Sequence, residues 1–505
     1  MRNNGAVALL GDLHSHCGIS YGHGELQDAL ENAGLRLDFV SITGHADWPD
    51  MDAENPEIAH IVDFHTKGFA RLKSLWTRHL RELASFERTK GVVAFPGYEI
   101  HSSEHGDYTI VGREHDLRVT LAESPSELRA AFSREYGTQI PPPIIMFPHH
   151  LGYRRGARGV NWDSFGQEFS PVVEIYSMHG LAENDRSDKP GLHSMGPFQG
   201  YGTMQTGLSK GFRFGVLGNT DHHSGHPGSY GHGLTGIWSV SRDRNAIWSA
   251  ICDRRTWAMT GDTVRLWFAV HDRPMGSELN GDLAGKQVEI DVEATAAIDY
   301  VELVVDGRRE QLWWGSGRQI ENSPREAIAS LEVGWGERGV PASWDVRLEI
   351  TGASITEVIP KFRGPEVVSP LDREGEAIPT HHASWRQENE RTVSFRTMSW
   401  GNMTNSTPST QALAVRLDSW GAAQLRGTIN GHEVQCAVSE LLHGSISGNL
   451  GPIDSPAYLL SAIQESEYSR SIRTKIPGDP EASWAYVRVR LKNGHWAISS
   501  PVFAG

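Results

Sequence analysis

The sequence predicts an α/β unit, residues 1–262, followed by an all-β, sandwich-like unit, residues 263–505. In the first unit short apolar runs alternate with longer amphipathic runs, which is the pattern of strands connected by helices. In the second unit the apolar runs are short and alternating, and Gly, Asp and Asn turns separate them. Polar, histidine-bearing sequence follows several strands of the first unit. This favours a barrel, because barrel sites lie at the carboxyl ends of strands.

Each element of the first unit has a local signal. Apolar residues at three- and four-residue spacing predict a long helix over 57–88, and a Ser-Pro start predicts another over 124–137. The remaining predicted helices cover 24–35 and 242–255. The predicted strands cover 6–10, 37–45, 91–100, 107–112, 141–150, 170–177 and 212–223. Strands and helices in this order predict a largely parallel sheet.

In the second unit, alternating apolar runs predict strands with few helices between them. These runs cover 263–272, 286–295, 299–307, 343–351, 391–400, 412–420, 423–434 and 484–503. Residues 360–395 are rich in Pro and charge and have weak periodicity, which predicts a long loop or insertion.

The bulk composition narrows the class of protein. A net charge of −15 argues against a nucleic-acid partner bound broadly through phosphates. Three scattered cysteines argue against a disulfide framework and favour a reducing compartment, so we expect a cytoplasmic protein. No apolar run approaches the eighteen or so residues of a membrane span, so we expect no membrane association. The composition leaves the oligomeric state open.

Histidine is concentrated in the first unit, where residues 1–232 contain 18 of the 24 histidines. His14 and His16 follow the first predicted strand, and side chains at i and i+2 share a face that can bind one divalent ion. Four further strand ends supply His45; Glu99, His101, His105 and Asp107; His149 and His150; and Asp221 with His223. A site rich in imidazole and carboxylate and poor in thiolate suits Zn²⁺, Mn²⁺ or Fe²⁺.

All five of these strand ends carry recognisable motifs. They are DLHSH (12–16), ITGHAD (42–47), GYE (97–99), FPHH (147–150) and NTDHH (219–223). In this order they resemble the polymerase and histidinol phosphatase (PHP) domain over roughly residues 8–260. GDLHSH, VEIYSMHG, TDHHSGHPG and RPMGSEL are similar to a subgroup with a long C-terminal β region. The resemblance implies a distorted (β/α)7 barrel that holds two or three divalent metal ions.

The resemblance also implies which residues bind each ion. The implied sets are His14, His16 and Asp221 for the first ion; Glu99, shared with the first, and His149 for the second; and His23, His45 and His223 for the third. His23 lies one residue away from the expected spacing. Where the family commonly has a histidine after the Glu motif, this chain has His105 and Asp107. The sequence leaves open which of the two is the metal ligand.

Other polar residues near the predicted ligands have weaker assignments. His101 shares the face of Glu99, and His226 lies on a glycine-rich loop, so both join Glu99 and Asp221 as candidate catalytic residues. Three arginines and one histidine follow a predicted ligand and are candidates for binding substrate. They are Arg154, Arg155, Arg158 and His150. Arginine suits phosphate through bidentate hydrogen bonds, although a solvated loop explains these residues equally well.

A cluster of divalent ions without a Ser–His or Cys–His arrangement predicts hydrolysis by a metal-activated hydroxide. We therefore expect a phosphoesterase acting on a small phosphate mono- or diester. One rival is a metal hydrolase of an amide, lactone or other ester bond. A second rival is a binding module that retains metal. The second unit lacks clustered metal-ligating residues, so we expect it to shape the substrate entrance, to mediate assembly or simply to cover one face of the barrel.

Overall fold

The computed structural model describes residues 5–137, 139–317, 320, 325–405, 407–478 and 480–505. The first half is mixed α/β. Its strands are β1 (Val7–Asp12), β2 (Phe39–Asp47), β3 (Val93–Ile100), β4 (Tyr108–Gly112), β5 (Ile144–Pro148), β6 (Val172–Ser177), β7 (Gly180–Leu181), β8 (Gly215–Gly218), β9 (Leu234–Ser239) and β10 (Thr256–Met259). Its helices are α1 (Leu26–Ala33), α2 (Ala59–Lys90), α3 (Pro125–Tyr136), α4 (Met204–Ser209) and α5 (Arg244–Cys252).

The second half is mostly β. Its strands are β11 (Val264–Val270), β12 (Arg273–Pro274), β13 (Gln287–Ala294), β14 (Ile298–Val305), β15 (Arg308–Trp314), β16 (Ala327–Trp335), β17 (Pro341–Thr351), β18 (Ile355–Lys361), β19 (Ser384–Asn389), β20 (Thr392–Trp400), β21 (Gln411–Leu417), β22 (Gln424–Ile429), β23 (His432–Ala437), β24 (Ile446–Asn449), β25 (Pro456–Gln464), β26 (Ser469–Lys475), β27 (Trp484–Leu491), β28 (Trp496–Ser499) and β29 (Val502–Phe503). Two short helices, α6 (Val438–His443) and α7 (Glu465–Tyr468), interrupt them. Short 3-10 turns cover Pro56–Ile58, Gly200–Gly202 and Pro370–Arg373.

Local sequence explains where the main helices begin and end. Ser124 caps α3 by accepting the Glu127 N–H, and Pro125 occupies the first turn, where a missing N–H costs nothing. α2 ends at Gly91, whose φ of 72° is in the left-handed region that glycine adopts without strain. No helix in the described part of the chain has both the length and the apolar character required to cross a membrane.

The strands of the first half enclose one apolar core. Neighbouring strands in the main sheet follow the order β9-β1-β2-β3-β4-β5, and a separate sheet has the order β7-β6-β8. Side chains from both sheets meet in this core, including Phe39 of β2, Phe95 of β3, Val172 of β6 and Leu217 of β8. The two sheets therefore share one apolar core.

The largely parallel sheet that the sequence predicts is observed only in part. β1 with β2, β2 with β3, and β6 with β8 are parallel, whereas β4 is antiparallel to both β3 and β5. Only a short loop joins β3 to β4, too short for the crossover that a parallel pair requires. Among the described residues the paired strands do not close into a (β/α)7 ring, since β6 is paired with β7 and β8 rather than with β5.

The main sheet continues into the second half of the chain. β10 pairs with β28, and the order then runs β27-β14-β15. The division predicted between residues 262 and 263 therefore crosses a shared sheet, and its status as a domain boundary stays a prediction. A separate four-stranded sheet in the second half has the order β12-β11-β13-β26.

Two five-stranded sheets form a sandwich in the second half. Their orders are β18-β21-β16-β25-β24 and β19-β20-β17-β22-β23. Alternate residues such as Leu331, Val346 and Phe395 point into a common core between them. Between β18 and β19 the chain runs through residues 362–383 with only the 3-10 turn at Pro370–Arg373.

Candidate metal centre

The segments that follow β1 and β8 run side by side. The His16 N–H donates to the His222 carbonyl over 2.9 Å, and the Asp221 N–H donates to the His14 carbonyl over 2.8 Å. Because alternate residues share a face, this pairing brings His14 and His16 next to Asp221 and His223. Two strand ends that are about 200 residues apart in the sequence thus meet at one place.

Glu99, near the end of β3, joins two sets of imidazoles. Its Oε2 lies 3.1 Å from His14 Nε2 and 3.2 Å from His16 Nε2. Its Oε1 lies 3.0 Å from His101 Nδ1 and 3.3 Å from His149 Nε2. All five side chains are buried. Each oxygen of this carboxylate therefore faces a different pair of ring nitrogens.

Asp221 is surrounded in the same way. Its Oδ1 lies 3.0 Å from His16 Nε2 and 3.4 Å from His14 Nε2. Its Oδ2 lies 3.1 Å from His179 Nε2 and 3.3 Å from His150 Nε2. Its φ of 51° is in the left-handed region, which is uncommon for a residue other than glycine and costs free energy. Such backbone strain is typical of functional sites.

Among the described residues, five sets of donor atoms have all their atoms within 4.8 Å of one another. They are His16, His45 and His223; His14, His16, Glu99 and Asp221; His45, Glu99 and His101; Asp107, His149 and His150; and His150, His179 and Asp221. Buried carboxylates at this density require a compensating positive charge, since an unpaired buried charge is costly. Imidazole and carboxylate donors without thiolate fit Zn²⁺, Mn²⁺ or Fe²⁺. These residues can therefore hold divalent ions.

The histidine ring nitrogens that face away from the donor sets contact polar side-chain oxygens. His14 Nδ1 lies 3.0 Å from Glu174 Oε2, and His149 Nδ1 lies 2.9 Å from Thr109 Oγ1. His45 Nδ1 lies 3.1 Å from Ser20 Oγ. Contacts of this kind fix the orientation of metal-binding histidines and leave the Nε2 atom pointing into the site.

Burial and neighbouring charges set the protonation states. Burial raises the pKa of Glu99, but the imidazoles around it, His149 foremost, hold this pKa well below its ordinary value. Burial lowers the pKa of His45 and of His223, and the nearby His16 lowers both further. Carboxylate and neutral imidazole are the forms that bind metal, so the environment favours the ligating states of Glu99, His45 and His223. Burial lowers the pKa of His14 and of His16, but the carboxylates around them, Asp221 foremost, raise both above the ordinary value, so metal binding at these two residues would release protons.

Asp107 lies inside the site, and Arg158 reaches it. Asp107 Oδ2 lies 2.8 Å from His101 Nδ1 and 3.1 Å from His150 Nδ1, and it accepts a hydrogen bond from Arg158 Nε at 2.8 Å. Burial raises the pKa of Asp107, but the Arg158 guanidinium holds it well below the ordinary value. The same guanidinium stacks over the ring of Trp48 at 5.1 Å.

Six of the predicted site residues lie outside the donor sets found among the described residues: His23, His105, Arg154, Arg155, Arg158 and His226. His105 is half-buried and its Nδ1 lies 3.0 Å from Ser164 Oγ, so Asp107 rather than His105 faces the centre. The His23 N–H donates to the His223 carbonyl, and the His23 side chain is in none of the donor sets found among the described residues. Arg154 and Arg155 are exposed, so only Arg158 of the three arginines reaches the site.

His226 belongs to a second cluster of histidines next to the centre. Its ring lies 6.1 Å from that of His222 and 5.6 Å from that of His382, and His232 lies 5.1 Å from His222. Both ring nitrogens of His226 are buried without a hydrogen-bond partner. None of these four residues is in the donor sets found among the described residues. This position gives His226 no contact with the atoms of Glu99 or Asp221.

Sequence reasoning assigned no role to His179, Tyr21 or Trp48. His179 lies two residues after the end of β6 and contacts Asp221, so it follows the same strand-end pattern as the other histidines. Tyr21 stacks on His45 with ring centroids 3.7 Å apart, and its hydroxyl bonds to His101. No spacing pattern in the sequence singles out these two aromatic residues.

A cavity of about 230 Å³ opens onto the centre. Glu99 and Asp221 form part of its lining, together with Arg158, His150 and His193. The two carboxylates at the heart of the donor sets are therefore accessible to a small molecule.

No protein-family model matches the chain. Two uncharacterized proteins, from Chlamydia muridarum (strain MoPn / Nigg) and Chlamydia pneumoniae, are each 24% identical to it. The alignments cover 47% and 46% of this chain and 41% and 40% of those proteins. The chain thus spans about two fifths of the length of the curated relatives it matches.

One solved structure is also similar. It is a two-domain protein from Bacteroides vulgatus ATCC 8482 described as containing a predicted PHP-like metal-dependent phosphoesterase. The likeness covers 62% of this chain and 84% of that chain, with 14% sequence identity and a TM-score of 0.36. At these values the likeness carries no argument about function, which depends on the geometry of the site. That geometry defines a class: proteins with a buried histidine–carboxylate centre able to hold divalent ions.

Proposed function

We propose that this chain is a metal-dependent hydrolase that cleaves a small phosphate mono- or diester. The observation that carries the proposal is the environment of Glu99 and Asp221. Each of these buried carboxylates lies within 3.0–3.4 Å of four imidazole nitrogens beside an open cavity. Divalent ions bound at such a centre activate water and neutralise charge on a phosphate ester.

We place two or three ions in the centre and assign ligands to each. The proposed sets are His14, His16 and Asp221; Glu99 and His149 with Asp107; and His45 and His223 with His16 nearby. We also infer that the surrounding strands derive from a distorted (β/α)7 barrel in which β4 is reversed. Glu99 lies beside histidines of the first and second sets, and Asp221 lies beside histidines of the first and third sets. These two carboxylates therefore connect the proposed ion sites.

Arg158 is the proposed phosphate-binding residue. Its guanidinium lines the cavity and is oriented by Asp107 on one side and by Trp48 on the other. Its Nε and Nη2 contact Asp107, so the guanidinium would approach a phosphate oxygen through its charge and its Nη1 N–H groups. His150 lines the same cavity and would contact the substrate next to Arg158. His101, whose Nδ1 lies 3.0 Å from Glu99 Oε1, is the proposed proton-transfer residue.

The test uses the full chain with bis(p-nitrophenyl) phosphate and p-nitrophenyl phosphate. We expect chelation to abolish hydrolysis and added Mn²⁺ or Zn²⁺ to restore it. His14→Ala should lose about one ion per chain and at least about 100-fold in kcat/KM, because one imidazole serves two carboxylates here. His60→Ala, on the exposed face of α2, is the matched control and should keep both metal and activity.

Hydrolysis that survives complete removal of metal would contradict the proposal. Amide and lactone substrates tested in parallel separate it from the rival, a hydrolase of a bond without phosphorus. Cytoplasmic location, a small phosphorylated partner and the oligomeric state stay predictions.

A further inference from the structure

Residues of the second half reach the metal centre. The loop between β18 and β19 places Val368, Ser369, Pro370 and Leu371 in the lining of the cavity that contains Glu99 and Asp221. These four residues are about 150 residues beyond Asp221 in the sequence. The sequence predicts a long loop or insertion over residues 360–395; the loop covers 362–383 of that stretch, while β19 and the start of β20 lie in the rest. This loop contributes directly to the pocket.

The first end of this loop is fixed to the loop that follows β8. The Gly364 N–H donates to Ser229 Oγ over 3.0 Å, and the Pro365 carbonyl accepts from Ser224 Oγ over 2.9 Å. Ser224 is three residues from Asp221, so this attachment fixes the position of the loop relative to the metal centre.

The second end of the loop is fixed to helix α1. The Thr380 carbonyl accepts from Asn32 Nδ2 over 2.6 Å, and Thr380 Oγ1 donates to Asp28 Oδ2 over 2.9 Å. Asn32 is almost fully buried, and such a side chain holds its partner strongly because an unmade bond is costly there. Residues 368–371 are thus held between two attachment points on the first half.

Three of the held residues, Val368, Pro370 and Leu371, are apolar. Ile61 and Phe64 of the α2 segment are also in the lining of the same cavity. Val368 is 38% exposed. The lining therefore has two chemically different parts, one made of carboxylates, imidazoles and Arg158, the other of aliphatic and aromatic groups.

We propose that this apolar side, completed by Val368, Pro370 and Leu371, is a subsite for the organic group of the substrate. The proposal rests on the proposed function, since an anionic ester group would occupy the polar side. It names the substrate class as compact phosphate esters with an apolar, ring-sized organic group. A cavity of about 230 Å³ holds such a molecule and is below the usual size of pockets for larger ligands.

The experiment measures binding rather than turnover. Isothermal titration with the metal-loaded full chain compares phenylphosphonate with methylphosphonate. We expect phenylphosphonate to bind at least about 10-fold more tightly, the increment typical of burying one ring. The double variant Val368→Ser, Leu371→Ser should reduce this ratio to below about 3-fold and leave the affinity for methylphosphonate unchanged. Both side chains are partly exposed, so the variant should fold normally.

The control is Val340→Ser, Ile453→Ser, which changes two exposed apolar residues elsewhere and should keep the wild-type ratio. A wild-type protein without preference for phenylphosphonate, or a double variant that keeps the full ratio, overturns the subsite. If neither phosphonate binds, the phosphate part of the proposed function fails. The pair benzoate and acetate then tests the subsite on its own, with the same ratios expected or overturned.

Discussion

His14 has both of its ring nitrogens engaged. Nε2 faces Glu99 and Asp221, while Nδ1 faces Glu174 at 3.0 Å. Glu174 in turn accepts a hydrogen bond from Asn219 Nδ2 at 2.8 Å. A carboxylate behind a metal-binding histidine orients the ring and makes it a better ligand. Glu174 is therefore a positioning residue that acts through His14.

Glu174→Gln tests this role at the scale of one residue. Glutamine keeps the size of the side chain but loses its charge, so metal affinity should fall about 10- to 100-fold while the protein stays folded. Competition with a chromogenic chelator measures the affinity, and circular dichroism checks folding. Glu433→Gln, at an exposed position of β23, should leave the affinity unchanged. An unaltered affinity in Glu174→Gln would exclude the positioning role.

The sequence identifies a residue of the centre when it lies within four residues after the end of a strand. His16, His149 and Asp221 are such residues, because strand ends at one edge must converge. The choice between His105 and Asp107 lies in a loop, where the direction of a side chain depends on the turn and not on a period. His179 was missed because a lone histidine after β6 has no second ligand at i+2 to mark it.

At the scale of elements, the positions of helices and strands are easier to predict than which strands pair with one another. Capping residues such as Ser124 act within a few residues and are visible in the sequence. The reversal of β4 and the pairing of β10 with β28 depend on contacts between distant segments. The sequence does not predict strand β9, because apolar and polar residues alternate only weakly in its six residues, LTGIWS, which follow a glycine-rich loop.

The loop after β18 approaches the histidine cluster through Gly364. A Cβ at this position would lie 2.6 Å from His226 Cβ and 2.7 Å from His222 Cε1. We expect Gly364→Ala to lower the free energy of unfolding by about 1–3 kcal/mol, since these buried rings have to shift. Urea unfolding measures the change. Gly444→Ala, which meets no atom within 4 Å, is the control and should stay within about 0.5 kcal/mol of the wild type.

At the scale of the whole molecule, Asp262 joins segments from both halves. Its carboxylate is fully buried and accepts hydrogen bonds from Tyr230, Thr295, Lys361 and Asn493. Burial raises the pKa of Asp262, but the Lys361 ammonium holds it below its ordinary value. The folded state therefore favours the ionised carboxylate more than the unfolded chain does.

This difference predicts how stability depends on pH. A carboxyl group with a lowered pKa in the folded state stabilises the protein above its unfolded pKa of about 3.9, and this contribution is lost as the pH falls below that value. Asp262→Asn should therefore cost about 3–5 kcal/mol at pH 7, and the deficit should shrink below about pH 4.

Urea unfolding at pH 7 and pH 3 measures both effects. Asp345→Asn, which breaks an exposed pair with Arg396, is the control and should cost less than about 1 kcal/mol at either pH. A deficit for Asp262→Asn that is the same at both pH values would show that Asp262 does not titrate differently on folding.

The pairing of β10 with β28 also has a consequence for the time course of folding in the cell. Synthesis proceeds from the N-terminus at about 5–20 residues per second, and the two strands are separated by roughly 240 residues. The edge of β10 thus remains open on the ribosome for roughly 10–50 s, and an open edge is a template for pairing with other chains. The nascent chain therefore exposes an unpaired strand edge until β28 emerges.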